Sequence, residues 1–124
     1  MAEPQLTDAF TIERRGDVTI VTASPSLETM DFENQSQAAR LVMGPVLAEA
    51  EPQIIFDLSG VNYFGSVFIG FLLRCWKSAT AKGGSVALAG VSPHARELLH
   101  LTSLDMVWPI YANKREAIDA LLSD

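Results

Sequence analysis

IIFDLSGVNYFGSVFIGFLL, residues 54–73, is the stretch on which the reading of this 124-residue chain turns. Ile54, Ile55 and Phe56 form a short apolar run ending at Asp57, the pattern of a buried strand. Ser59, Gly60 and Gly65 supply turn chemistry. Ser66 then opens an apolar segment with no breaker before Gly83-Gly84. Strand, loop, serine and helix, in that order, aim the serine hydroxyl and the first helical N–H groups at one point in solvent. A functional site is expected there.

Upstream, Pro52 closes a helical pattern that begins at Asp31 or Phe32 and runs to Glu51. Ala38, Leu41, Val42, Val46 and Leu47 fall near one face of it. Gly44-Pro45 interrupts the pattern, and proline removes a helical hydrogen bond, so a kink or restart is expected at that point. Residues 23–30, with Pro25 and two serines, read as a loop. Before it, Phe10-Thr11-Ile12 and Val18-Thr19-Ile20-Val21-Thr22 flank Arg15-Gly16-Asp17, which predicts an antiparallel hairpin turning at Gly16. Those three turn residues spell an integrin-binding tripeptide, but in an acidic chain the turn explains them. Residues 1–8 are polar and are expected to form a flexible N-terminus ahead of one domain over 9–124.

Downstream, the helix from Ser66 should run to Lys82 and stop at Gly83-Gly84. Ser85-Val86-Ala87-Leu88-Ala89 is a short strand, and Ser92-Pro93 is the cap and first residue of a third helix with Leu98, Leu99 and Leu101 as its apolar candidates. A last strand is expected from Val107 to Tyr111. Asn113 can cap a final helix carrying Ala117, Ile118, Leu121 and Leu122 at helical spacing. Strands alternating with helices imply right-handed crossovers. The expected class is therefore α/β: a mostly parallel sheet of about five strands, extended by the N-terminal antiparallel hairpin, with helices packed on it. In open α/β sheets the carboxyl ends of the strands meet ligands and partners, and the loop from Ser59 to Ser66 lies at such an end.

Composition narrows the function. The net charge of −6 and the scattering of nine Lys and Arg argue against nucleic-acid binding, which needs clustered cations. There is no basic-then-apolar leader and no apolar run of membrane-spanning length, so a cytoplasmic chain without membrane insertion is expected. Asn34-Gln35-Ser36 matches a glycosylation sequon, a chance match in that setting. Cys75, the one cysteine, sits among apolar residues and reads as a packed thiol. His94 and His100, six residues apart, do not have metal-ligand spacing. No glycine-rich phosphate loop is present. The chain is expected to work without a cofactor and not as an enzyme.

The central run resembles the signature of STAS domains, the fold of bacterial anti-sigma factor antagonists. That signature is a strand ending in Asp-Leu, then Gly-Val, an aromatic or apolar pair, and Asp-Ser-Ser/Thr-Gly-Leu-Gly. Here the letters are Asp57-Leu58-Ser59-Gly60-Val61, Tyr63-Phe64 and Gly65-Ser66-Val67-Phe68-Ile69-Gly70. Lys82-Gly83-Gly84 through Ser92-Pro93, and Leu98 through Asp105, are similar to later passages of the family, so the likeness spans roughly residues 9 to 122. The resemblance implies a partner-switching regulator. In the family, a kinase that is itself the anti-sigma factor phosphorylates the serine after the aspartate, and a serine phosphatase resets it. By position, the resemblance makes Ser66 the phosphoacceptor. It centres the partner surface on Asn62, Tyr63, Gly65, Ser66, Val67, Phe68 and Ile69.

Three letters depart from that pattern. Gly65 stands for the aspartate, Val67 for the second hydroxyl residue and Phe68 for the glycine, which puts a large ring where the family keeps its surface open. Two readings of Ser66 follow: a regulatory phosphosite, or a plain helix N-cap worth about 1 kcal/mol in a module that binds constitutively as a subunit or scaffold. Asp57 reads as a strand-end carboxylate bonded to the following loop. Phe68, Phe71 and Trp76 are core candidates. The segment from Val67 to Leu73 is nonetheless apolar all round, and an exposed remnant of it would suit a partner or a homodimer. Ile54 to Leu58 also resembles the phosphoacceptor strand of a response-regulator receiver. Val21, however, is followed by Thr22-Ala23-Ser24-Pro25, without the carboxylates a hard cation needs.

Overall fold

The computed structural model describes residues 10–25, 32–46, 48–63 and 65–122, and within the first helix the side chains from residue 37 onward. The expectations for residues 1–8, Leu47 and Phe64, and for most of the loop before the first helix, lie outside the described residues. The chain order is β1 (Phe10–Arg15), β2 (Val18–Ala23), α1 (Phe32–Val46), β3 (Gln53–Asp57), α2 (Ser66–Thr80), β4 (Ser85–Ala89), α3 (Pro93–Leu101), β5 (Ile110–Tyr111) and α4 (Lys114–Leu122).

β1 and β2 pair antiparallel from Phe10↔Ala23 to Arg15↔Val18, leaving Gly16 and Asp17 as a two-residue turn. Gly16 has φ +61°, at the position where one class of hairpin turn takes glycine. The strands then follow in chain order across the sheet, β1-β2-β3-β4-β5. β2–β3, β3–β4 and β4–β5 are all parallel.

An in-order sheet with right-handed crossovers sends every connecting helix to the same face. The core agrees. Ala38, Val42 and Val46 of α1, Phe68, Phe71, Leu72, Cys75 and Ala79 of α2, and Ala95 and Leu99 of α3 join Val21, Ile54, Phe56, Val86 and Leu88 in one cluster. Ala117 and Ile118 of α4 cover Val18, Ile20, Ile55 and Ala89 on the other face. Covered on both sides, β3 is an unbroken apolar run because neither face can be polar. Phe71 anchors the larger layer, with ring centroids 5.0 Å from Phe10, 5.5 Å from Phe68 and 5.8 Å from Phe56. Burial pushes the Cys75 thiol far up, so it is packed and neutral as expected.

Several element ends differ from the sequence reading. α1 is continuous across Gly44-Pro45 and does not restart there. It runs through Pro45 and stops at Val46, five residues short of Glu51. A proline in the last turn removes only one terminal bond, which a helix about to end can spare. Glu51 instead takes a left-handed φ of +54° and donates its N–H to Lys82 O at 3.1 Å. α2 ends at Thr80 with Ala81 as its C-cap, two residues before Lys82. The last strand is only Ile110–Tyr111. Leu104–Met106 coil into a 3-10 turn, and Trp108, fully buried, plugs the core from outside the ladder.

Ser92 caps α3 as expected, accepting from Ala95 N at 3.1 Å with Pro93 in the first turn. Asn113 Oδ1 accepts from Glu116 N at 2.9 Å and opens α4. Leu101 and Leu41, both expected on apolar faces, are exposed.

Candidate docking surface around Ser66

The site begins with the carboxylate that ends β3. Asp57 is only 7% exposed, and its Oδ1 accepts from Ser59 N at 3.2 Å and Ser59 Oγ at 2.8 Å. This is the loop-bonded carboxylate that the sequence suggested. It closes a turn at once after the strand, while Leu58 N donates to Ala89 O at 2.8 Å and Val61 N to Leu58 O at 3.0 Å. Beneath this turn lies Gly90, with φ +69°. A Cβ there would fall 2.8 Å from Ser59 Cβ and 3.1 Å from its Cα and N, so only glycine lets the two loops touch.

The far side of the loop is fastened by Ser92. Its hydroxyl donates to Asn62 O at 2.6 Å while accepting from Ala95 N. One side chain thus caps α3 and clasps the β3–α2 loop. His94, the second residue of α3, lies against the ring of Tyr63 with centroids 5.0 Å apart. Tyr63 is 52% exposed, a large aromatic at the rim of the loop.

α2 then starts without a side-chain cap. Its N-cap is Gly65, not Ser66, and no acidic residue occupies its first turn. The N-cap reading of Ser66 is therefore corrected: Ser66 is the first helical residue, exposed to solvent. Its side chain makes no hydrogen bond among the described residues. Phe68 is corrected too. At 2% exposure it belongs to the core, stacked on Phe71, and adds no ring to the surface. Of the remaining expected contact residues, Asn62, Tyr63 and Ser66 are exposed, while Gly65, Val67 and Ile69 are half-buried. The loop and first turn of α2 bring these together, with only Phe68 turned inward.

Two contributors escaped the sequence reading: the Ser92 clasp and the Tyr63–His94 contact. The capping signal at Ser92 was readable. Its second bond, to a residue 30 positions away, has no local signature. His100 sits elsewhere, pairing with Asp105 at 2.9 Å. Among the described residues no three His, Cys, Asp or Glu side chains converge to hold a metal, and no helix is long and apolar enough to cross a membrane.

A parallel sheet laid down strictly in order, with its crossover helices on one face, has no strand-order reversal of the kind that opens a ligand crevice in doubly wound sheets. The tip of β3 and the start of α2 present a surface to solvent. That is the architecture of a STAS domain. The profile of that family, described as the STAS domain, matches residues 9–117. The chain belongs to the STAS domain family, as its central signature suggested.

Particular relatives sharpen the placement. An anti-sigma F factor antagonist from Paenibacillus polymyxa is 27% identical over 111 residues, spanning 89% of this chain and 92% of that protein. The structure of an anti-sigma factor antagonist (STAS) domain protein from Planctomyces limnophilus superimposes with a TM-score of 0.79 at 33% identity, over 92% of this chain and 98% of that one. That of an anti-sigma factor antagonist from Mycobacterium paratuberculosis gives 0.71 at 27% identity, over 90% and 91%.

Proposed function

We propose that this protein is a non-enzymatic, cytoplasmic anti-sigma factor antagonist that switches partners through phosphorylation of Ser66. The observation that carries the reading is the setting of Ser66: exposed, in the first turn of an uncapped helix, beside a loop held on both sides. A serine kinase acting as the anti-sigma factor transfers the γ-phosphoryl group of ATP to Ser66 Oγ as the hydroxyl gives up its proton. A serine phosphatase returns the hydroxyl. The unphosphorylated protein binds the anti-sigma factor and frees its sigma factor.

The physical case is electrostatic. A phosphoserine carries a charge of roughly −1.5 to −2, and at the start of α2 it meets the positive end of the helix dipole. The modified chain therefore stays folded. A partner covering Ser66, however, would have to strip water from that charge. The switch operates by desolvation and repulsion, with little change of shape.

One observation favours a second reading, a constitutive STAS binding or scaffold module. Gly65 offers no carboxylate before Ser66, removing a group by which a kinase could order the loop. Intact-mass and phosphosite mapping of the protein from its native cells, with and without stress and beside Ser66→Ala, separates the two. A phosphate on Ser66 that is lost in the variant supports the switch. An unmodified Ser66 under every condition refutes it and leaves the constitutive module.

A further inference from the structure

The chain has 15 carboxylates against nine Lys and Arg, yet residues 58–96 contain no Asp or Glu at all. Four of the nine cations, Arg74, Lys77, Lys82 and Arg96, fall inside that interval. It comprises α2, β4 and the first half of α3, so acidic groups are absent from the helix that starts at Ser66 while they populate the rest of the molecule. Ser66, Gly70, Leu73 and Lys77 recur at helical spacing and form one stripe down the solvent side of α2, with Arg74 beside it. Ser66, Leu73, Arg74 and Lys77 are all exposed, Leu73 at 37%. At about 1.5 Å rise per residue, the stripe runs roughly 16 Å from Ser66 to Lys77.

We propose that this stripe docks an acidic partner surface with an apolar centre. The apolar group seats on Leu73 and Gly70, and carboxylates around it face Arg74 and Lys77. The inference rests on the proposed switch for its regulation and names the chemistry of the partner. An acid-free, cationic helix within a net-negative chain favours an acidic surface at that helix. A phosphate at Ser66 would then place the single anionic group of α2 at the head of the stripe, opposing the same carboxylates.

The test displays a library of 15-residue amphipathic helices with a fixed leucine stripe and flanking positions varied between Glu and Lys, selected against the full chain. Glu should be enriched over Lys. The enrichment should fall about tenfold in Arg74→Glu/Lys77→Glu, persist in Arg115→Glu on α4, and weaken between 50 and 500 mM salt, roughly as screened surface pairs do. No preference, a preference for Lys, or a preference that survives the double reversal overturns the proposal. So does binding of phosphatidylserine vesicles or polyuridylate through Arg74 and Lys77 without Glu enrichment, which would make the anion a lipid or a nucleic acid. Ser66→Glu distinguishes the two levels. Glu enrichment that depends on Arg74 and Lys77 but ignores Ser66→Glu keeps the docking surface and sinks the switch.

Discussion

Gly90 and Gly16 share a left-handed backbone, at φ +69° and +61°, but differ in what surrounds them, and that contrast allows one contact to be weighed. A methyl group on Gly16 would meet only Leu122 Cδ2 at 3.5 Å, an ordinary contact with a flexible side chain. Gly16→Ala should therefore show the left-handed penalty alone, about 1 kcal/mol. A methyl group on Gly90 carries the same penalty and also collides with Ser59, whose Cα and N would lie 3.1 Å away. Ser59 cannot retreat without breaking its bonds to Asp57, so overpacking adds about 2 kcal/mol and the total reaches about 3. With a urea slope of about 1.5 kcal/mol per M, the unfolding midpoint should fall by about 2 M in Gly90→Ala and by about 0.7 M in Gly16→Ala. Amide spectra of the folded variants should show displaced resonances from Ser59 through Ser66 for Gly90→Ala only. Equal midpoint shifts in the two variants would refute the claim that Gly90 sets the height of the site loop.

Four further outcomes follow from the same geometry. Ser66→Ala should change stability by less than about 0.5 kcal/mol in thermal or urea unfolding, since Ser66 does not cap α2; a loss near 1 kcal/mol would restore the N-cap reading. Gly65→Asp should stabilise by a few tenths of a kcal/mol, because a carboxylate at the N-cap gains little over glycine and the new Cβ would meet only the Tyr63 hydroxyl at 4.0 Å; calorimetry would detect it as a small rise in Tm. Ser92→Ala removes both the α3 cap and the clasp on Asn62 and should cost about 1–2 kcal/mol, with faster amide exchange in the β3–α2 loop. Cys75, neutral and enclosed, should resist a water-soluble disulfide reagent in the folded protein at pH 8 and react fully in denaturant; rapid labelling of the native chain would contradict its burial.

The alternation of strands and helices was legible because each β–α unit carries its own local signals. Gly16 at the hairpin, the apolar run of β3, Gly83-Gly84 after α2, and Ser92-Pro93 before α3 each act within a few residues of where they stand. What went unread depended on partners distant in sequence. Phe68 had both a core and a surface reading because Val67 to Leu73 is apolar all round, and only the packing of α1 and the sheet against it decides which rings turn inward. Val107 and Trp108 have strand-forming side chains, but the 3-10 turn at Leu104–Met106 and the proline at 109 leave the ladder to begin at Ile110. At the site, the serine and its helix were visible in the letters. The Ser92 clasp and the close fit of Gly90 under Ser59 were not, since each is a meeting of two segments distant in sequence.

The consecutive order of the sheet also has a consequence in time. As the chain emerges from the ribosome, the hairpin and each later strand find their neighbour already made, and no strand must wait to be inserted between two others. The exception is α4, which touches the hairpin through Lys114–Glu13, 101 positions apart, and through Leu122 beside Gly16. Those are the contacts of longest loop closure, and they close the second face over Val18, Ile20 and Ile55. Synthesis can therefore complete the three-helix face, and with it the surface around Ser66, while the opposite side of the sheet still awaits α4, its cover among the described residues.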